Sequence, residues 1–308
     1  MEMNKEKPSA TAALILKVVL FESKSDAGPL IVSPESAQLS QAIANEIFKY
    51  PKIFSFLIKN KLTRGLLLFI ESLLNKGFIL HVATRKKYIE ELTIGIIENG
   101  CTQLLNIGAG YDTLCAIMAS RYSEVRCMEV DHPNTQKQKQ AALLKSYAPS
   151  NLYFLSADLS KIGIRQVLKD QTIIDLNKKT LVIIEGVLMY LNEDDVNKCF
   201  SDLIDLFSNN LDVIFTFLDK RANNDIQFKS ASPLIKWWLN KKKENFLWGI
   251  GKDELTMKMN NLGFTKVAII TKQQFITTFF DNSNSEPVLA EGEMICHASM
   301  SRRNSKND

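Results

Sequence analysis

The stretch Leu104-Leu105-Asn106-Ile107-Gly108-Ala109-Gly110-Tyr111-Asp112-Thr113 carries the clearest chemistry in the chain. An apolar run enters a pair of spaced glycines and leaves into a helical pattern. Glycine at 108 and 110 lets the backbone turn sharply, and it leaves room for a ligand where a Cβ would otherwise stand. The helix that follows offers unpaired backbone N–H groups at its start. These are the requirements of a nucleotide-type ligand site. A dinucleotide fingerprint asks for a third glycine, and Thr113 stands in that place, which counts against NAD. Taken alone, the glycine pair fits a tight strand-to-helix turn equally well.

More acids follow at matching places. The next apolar run ends in Glu129-Val130-Asp131-His132-Pro133, with Asp131 twenty-three positions after Gly108. A carboxylate at the end of a second strand accepts hydrogen bonds from ribose hydroxyls. Strand alternation puts Glu129 and Asp131 on one face, so both are candidates to point towards the crevice. Asp131 also fits as an N-cap ahead of Pro133. Later runs end in Ser156-Ala157-Asp158-Leu159 and Ile184-Glu185-Gly186. Four successive strand ends of this kind favour a ligand crevice over coincidence. Tyr190 follows shortly after Glu185 and is the candidate catalytic side chain, with core packing as the alternative.

The elements that must position these residues can be read from periodicity. Residues from about Thr11 to Asn99 read as helices, including Ser36 to Tyr50 and a dense apolar face from Thr63 to Leu80. Short apolar runs then read as buried strands: Gln103 to Ile107, Val125 to Val130, Leu152 to Leu155, Leu181 to Ile184 and Asp212 to Phe217. Between them lie helical patterns at Thr113 to Arg121, Pro133 to Tyr147, Ile162 to Lys169 and Glu193 to Phe207. This alternation predicts an α/β fold, a doubly wound and mostly parallel Rossmann-like sheet with a helical N-terminal annex. Lys266 to Thr271 and Glu293 to Ala298 fit a terminal hairpin on the sheet edge. The expected organisation is a helical cap over 1–99, a ligand-binding α/β domain over 100–300 with an insertion near 219–251, and a frayed tail over 301–308.

Composition sets outer limits. The 308 residues are 45% hydrophobic and 23% charged, which suits a globular protein with a self-sufficient core. A net charge of +4, evenly spread, gives no case for a nucleic-acid partner. Five cysteines without a C-x-x-C pair and three separated histidines indicate neither a disulfide framework nor a metal site. No window reaches the roughly 20 apolar residues of a bilayer span. The expectation is a cytoplasmic protein with no membrane partner.

The residues together resemble the leucine carboxyl methyltransferase family, including its bacterial polyketide-type O-methyltransferase branch. The resemblance runs from about Thr84 to Phe264. It rests on Thr84-Arg85-Lys86-Lys87-Tyr88-Ile89, the Asn106 to Thr113 turn, Glu129 to Pro133, Glu185-Gly186-Val187-Leu188-Met189-Tyr190-Leu191 and a late Gly263-Phe264. It implies S-adenosyl-L-methionine as cofactor. It further implies Arg85 at the cofactor carboxylate, Gly108 and Gly110 at its backbone, Asp131 at the ribose, Asp158 and Leu159 at the adenine, and Glu185 at the methionine end. The chain departs from the pattern at Lys87 and Leu114, where many bacterial relatives carry arginine. It also has Asn106 where methyltransferases generally carry an acid.

The resemblance implies O-methylation of a small-molecule or peptide carboxylate. Such an acceptor is already ionised at neutral pH and needs orientation more than a base. Trp237, Trp238, Phe246 and Trp248, interleaved with Lys236, Lys241, Lys242 and Lys243, would suit a lid over an anionic acceptor or, more plainly, an amphipathic helix. The competing readings are an NAD-dependent oxidoreductase and a catalytically inactive cofactor-binding module. Oligomeric state is not legible in the sequence.

Overall fold

A computed structural model describes residues 9–145, 149–169, 171–207, 210–220, 226–242, 244–281 and 286–300. Six helices come first: α1 (Ala10–Glu22), α2 (Gly28–Ile31), α3 (Pro34–Ile47), α4 (Pro51–Lys59), α5 (Lys61–Asn75) and α6 (Phe78–Glu98). Their starts are set by local chemistry. The Ser9 hydroxyl accepts from the Ala12 N–H, and Ser33 with Pro34 opens α3. The Asn60 side chain accepts from the N–H groups of Leu62 and Thr63, so one residue closes α4 and starts α5.

The expected helix Thr63 to Leu80 is in fact two helices meeting at 89°. The break falls at Gly77, whose φ is +79°. A Cβ there would stand 2.6 Å from the Val288 carbonyl oxygen, so both the turn and the close approach require glycine.

The strands are β1 (Gln103–Ile107), β2 (Arg126–Asp131), β3 (Leu152–Ser156), β4 (Thr180–Ile184), β5 (Leu211–Leu218), β6 (Lys266–Ile270) and β7 (Glu293–Ser299). They form one sheet in the order β3-β2-β1-β4-β5-β7-β6. The first five are parallel, and β7 runs antiparallel to both β5 and β6. The two late segments pair antiparallel at the sheet edge as expected, but α13 (Lys272–Phe279) joins them in place of a tight turn, and the later strand, β7, lies on the inside between β5 and β6. The crossovers are α7 (Leu114–Arg121), α8 (Pro133–Leu144), α9 (Ile164–Leu168) and α10 (Glu193–Phe207), with α11 (Pro233–Lys242) and α12 (Lys252–Asn261) after β5.

β1, β4 and β5 are buried along their whole length and carry apolar side chains on both faces, with Gln103, Asn106, Thr180, Asp212 and Thr216 as buried polar exceptions. Leu104, Leu181 and Ile214 pack on one face with α1, α3, α6 and α7. Leu105, Val182 and Val213 pack on the other with α9, α10 and α12. The N-terminal helices thus share a core with the sheet, and α6 runs beside the carboxyl ends of its central strands. The expected tail at 301–308 lies outside the described residues.

Candidate functional site at the carboxyl ends of the central strands

The glycine turn is held by Asp131. Its Oδ2 accepts from the Gly110 N–H at 2.6 Å and its Oδ1 from the His132 N–H at 2.6 Å. Gly108 and Gly110 have φ of +71° and +52°. A Cβ on Gly108 would collide with the Val187 side chain, and one on Gly110 would approach Ala12 Cβ at 3.1 Å. The turn is therefore pressed between β4's loop and the N-terminal helix α1. Burial pushes the Asp131 carboxyl up, and the two backbone N–H groups pull against that shift. The α8 cap is not Asp131: His132 takes that place, with its ring Nδ1 accepting from the Asn134 N–H at 3.3 Å.

A second, denser group lies where α6 passes β1, β4 and β7. Arg85 donates through Nε and Nη2 to Glu185 Oε1, at 2.9 and 2.6 Å, and through Nη1 to both Glu293 oxygens, at 2.7 and 2.6 Å. The next residue, Lys86, reaches Glu185 Oε2 at 3.0 Å and Asp112 Oδ1 at 3.1 Å. His81 sits one turn before Arg85, with Nε2 at 3.2 Å from Glu293 Oε2. The Asp112 carboxylate also accepts from the Thr113 N–H at 2.7 Å and lies 3.4 Å from Asn106 Nδ2. Three carboxylates thus face two cations, almost out of water.

The electrostatics follow from that arrangement. Burial works to raise the Glu293 carboxyl, and Arg85 and His81 overcome it and hold the group at about 2. For Asp112, burial is again the largest influence, and Lys86 and Lys139 more than offset it, leaving the carboxyl below its usual range. Burial disfavours the Lys86 ammonium, yet Asp112 and Glu185 hold its pKa above the ordinary lysine value. These groups stay ionised because they are paired.

The remaining candidates are dispersed around this centre. Asp158 lies beyond β3, where its carboxylate takes the Ser160 hydroxyl at 2.6 Å and Lys161 Nζ at 2.8 Å, and hydrogen bonding holds it at about 2 against burial. Leu159 packs half-buried on the sheet's second face. Glu129, expected on the crevice face beside Asp131, is fully buried and bonded to Lys139, so it is a core ion pair. Tyr190 sits on a 3₁₀ turn (Leu188–Tyr190) with its ring 5.5 Å from that of Phe246. Burial, then the Glu244 carboxylate, pushes its phenol above the usual range.

The aromatic lysine-rich segment divides. Trp248 is buried, with its indole N–H on Glu193 Oε2 at 2.6 Å, and so belongs to the core. Trp237 is exposed on α11 beneath Lys241, whose Nζ is 5.2 Å from the ring centre. Lys243 and the side chains of Lys236, Trp238 and Lys242 lie outside the described residues.

Motif reading missed Lys86, Asp112 and Glu293 as members of the cluster. Asp112 stood within the quoted turn and carried a signal in its distance from Gly110. Glu293 carried none, since 208 residues separate it from Arg85.

The strand order, the positive-φ glycines after β1 and the acid after β2 define a Rossmann-like methyltransferase fold. The chain belongs to the leucine carboxyl methyltransferase family, whose model it matches over residues 22–204. S-adenosyl-L-methionine is the cofactor of this family. A Bacillus subtilis (strain 168) protein, YktD, named as an S-adenosyl-L-methionine-dependent methyltransferase, is 27% identical over 138 residues. That match spans 44% of this chain and 45% of the relative. A structure from Thermobifida fusca YX, named as a methyltransferase, superposes with a TM-score of 0.57 at 14% identity, covering 89% of this chain and 98% of the other. A DUF574 family protein from Streptomyces avermitilis MA-4680 superposes with a TM-score of 0.59 at 13% identity, covering 97% and 99%. These two share the fold.

The residues present suit that cofactor. Gly186, which follows Glu185 in the chain and has φ of +66°, leaves open space where a Cβ would stand. Asp112, Glu185 and Glu293 outnumber Arg85 and Lys86 by one, and that surplus of carboxylate suits a ligand bearing ammonium and sulfonium charge.

Proposed function

We propose that this chain is an S-adenosyl-L-methionine-dependent O-methyltransferase acting on the carboxylate of a small molecule or peptide. The observation that carries the reading is the placement of Asp112, Asp131 and Glu185 around positive-φ glycines at the carboxyl ends of β1, β2 and β4. In this reading Asp131 holds the ribose, Glu185 and Asp112 the methionine ammonium, Gly108 and Gly110 the backbone approach, and Asp158 and Leu159 the adenine. Arg85 is already clamped between two carboxylates, so it serves the cofactor's carboxylate with its remaining donor capacity and by orienting Glu185. When bound, the cofactor supplies an electrophilic methyl group on sulfur.

The side chains favour an acceptor that is ionised beforehand. His81 is buried against Glu293, His132 caps α8, and His297 on β7 lies 3.1 Å from Asp212. None of the three stands as a base at the site. Tyr190, with its phenol pushed up, remains a hydrogen-bond donor at neutral pH and suits orienting an acceptor oxygen. A carboxylate acceptor meets both conditions. The proposed domain division, a helical cap over 1–99 and the α/β domain over 100–300, gives the acceptor a place between the helices and the segment 219–251.

Calorimetric titration with S-adenosyl-L-methionine, S-adenosylhomocysteine and NAD tests the cofactor, and transfer of labelled methyl to a panel of carboxylic acids, phenols and amines tests the acceptor. Binding of both adenosyl ligands with base-labile methyl ester formation is the expected result. Methylation confined to phenols or amines overturns the carboxylate reading. Binding without transfer to any class leaves the inactive module in its place.

A further inference from the structure

Helices α4 and α5 invert the usual distribution of apolar side chains. Between them they carry ten exposed large apolar side chains, among them Ile53 and Phe56 on α4 and Leu62, Leu66, Phe69 and Leu73 along one stripe of α5, while α5 buries only Asn75. Leu62 is 84% exposed, Phe56 66% and Phe69 61%. α11 lies against the end of α5, where the Ser232 N–H meets the Leu74 carbonyl at 2.7 Å, and adds exposed Leu234 and Trp237. Soluble monomers rarely leave so many large apolar side chains of adjacent helices in water.

The charges along α4 and α5 are basic but for Glu71, whose Oε1 is turned to the start of α6 and accepts from the Ile79 N–H at 3.2 Å. Residues 47–70 contain Lys49, Lys52, Lys59, Lys61 and Arg64 and no aspartate or glutamate. Arg64 is committed to anchoring α5, with its guanidinium 4.0 Å from the Phe21 ring centre and Nη1 on the Phe21 carbonyl at 2.6 Å. Among the described residues, Lys49, Lys52, Lys59 and Lys61 form no ion pair.

We infer that the α4–α5 face docks on an anionic lipid surface, with the leucines and phenylalanines entering the interface and the lysines meeting the headgroups. Basic residues beside an exposed apolar helical face, with aromatics at its margin, are the features of a helix lying in the plane of a membrane. The geometry opposes a span: no single helix among the described residues is long and apolar enough to cross, and α5 turns 89° from α6, which is committed to the core. It also disfavours a second copy of this chain, because an isologous contact would bring a face bearing Lys52, Lys59 and Lys61 onto another such face, with Glu71 of α5 already turned to the start of α6. The inference departs from the sequence expectation of no membrane partner. It does not depend on the proposed activity.

Co-sedimentation of the full chain with vesicles of phosphatidylcholine alone, and with phosphatidylglycerol added, tests it. Binding to the anionic vesicles is expected at least ~10-fold above the neutral ones and to fall as salt rises above about 0.1 M. Leu66→Glu/Phe69→Glu and, separately, Lys59→Glu/Lys61→Glu should each lower it roughly 10-fold while circular dichroism stays unchanged. The second pair keeps the test valid if the first perturbs folding. No binding to anionic vesicles, or equal binding by wild type and both variants, overturns the inference. So does a dimer in light scattering that Leu66→Glu/Phe69→Glu dissociates, since the face would then be a subunit contact.

Discussion

Two regions of this molecule break the rule that apolar groups go inside and charges outside, and they break it in opposite ways. At the carboxyl ends of β1 and β4 and the start of β7, Arg85, Lys86, Asp112, Glu185 and Glu293 are withdrawn from water and matched to one another over distances of 2.6 to 3.1 Å. On α4 and α5, ten large apolar side chains face water with nothing matched to them among the described residues. Local rules are violated where function outweighs stability. The buried region is bonded within itself, so substituting one member injures the fold. The exposed region has nothing to lose in the isolated chain, so its substitutions should be silent until a partner is present.

The contrast is sharpest at Arg85. Arg85→Ala leaves Glu185 and Glu293 buried without their guanidinium, and should cost about 3–5 kcal/mol in chemical denaturation. A loss below 1 kcal/mol would mean that water enters the cluster. Acid should find the same weakness. Glu293 is held at about 2, below the reference value of 4.5, so its stabilisation is complete above about pH 4.5 and is lost as pH falls towards 2. The loss should be roughly 3 kcal/mol, and Glu293→Gln should flatten that limb of the pH profile.

Gly108→Val should come next, at about 2–3 kcal/mol, because it adds a side chain at positive φ and drives it into Val187. Gly108→Ala with Val187→Ala would separate the two causes: partial recovery relative to Gly108→Ala alone assigns the steric share to Val187. Tyr190→Phe should leave stability within about 1 kcal/mol and cofactor affinity unchanged, while lowering kcat/KM for the acceptor about 10-fold. Methyl transfer by wild type should be nearly flat from pH 6 to 8.5 on a carboxylate acceptor. A rate that climbs 10-fold per pH unit would instead reveal an acceptor that must lose a proton. The smallest effect belongs to Leu66→Glu, within about 0.5 kcal/mol, since the residue is 58% exposed.

The sheet was largely legible because its signals are local. Runs such as Gln103 to Ile107 and Glu193 to Phe207 coincide with β1 and α10, since apolar periodicity and flanking caps are properties of neighbouring residues. The break at Gly77 left only a short local signal, Asn75-Lys76-Gly77 between two apolar runs, and the close approach that requires the glycine is to the Val288 carbonyl, 211 positions away. Glu129 and Asp131 show the same limit. They share a face of β2, yet Lys139 draws one into the core and the Gly110 N–H holds the other at the rim. Residues at strand ends could be nominated from the sequence. Which of them meet, and that Arg85 would be engaged from both sides, is set by α6 and β7 arriving from distant parts of the chain. The exposure of α5 was equally hidden, since a dense apolar stripe reads the same whether it is covered or bare.

The most direct test of the central claim is calorimetric titration of the full chain with S-adenosyl-L-methionine and NAD, repeated on Asp131→Asn with its folding checked by circular dichroism. Saturable binding of the adenosyl ligand and not of NAD, weakened at least ~10-fold in a folded Asp131→Asn variant, is the predicted result. Equal affinity in the variant, or no binding to ligand-free wild type, would contradict the placement of the cofactor at these strand ends.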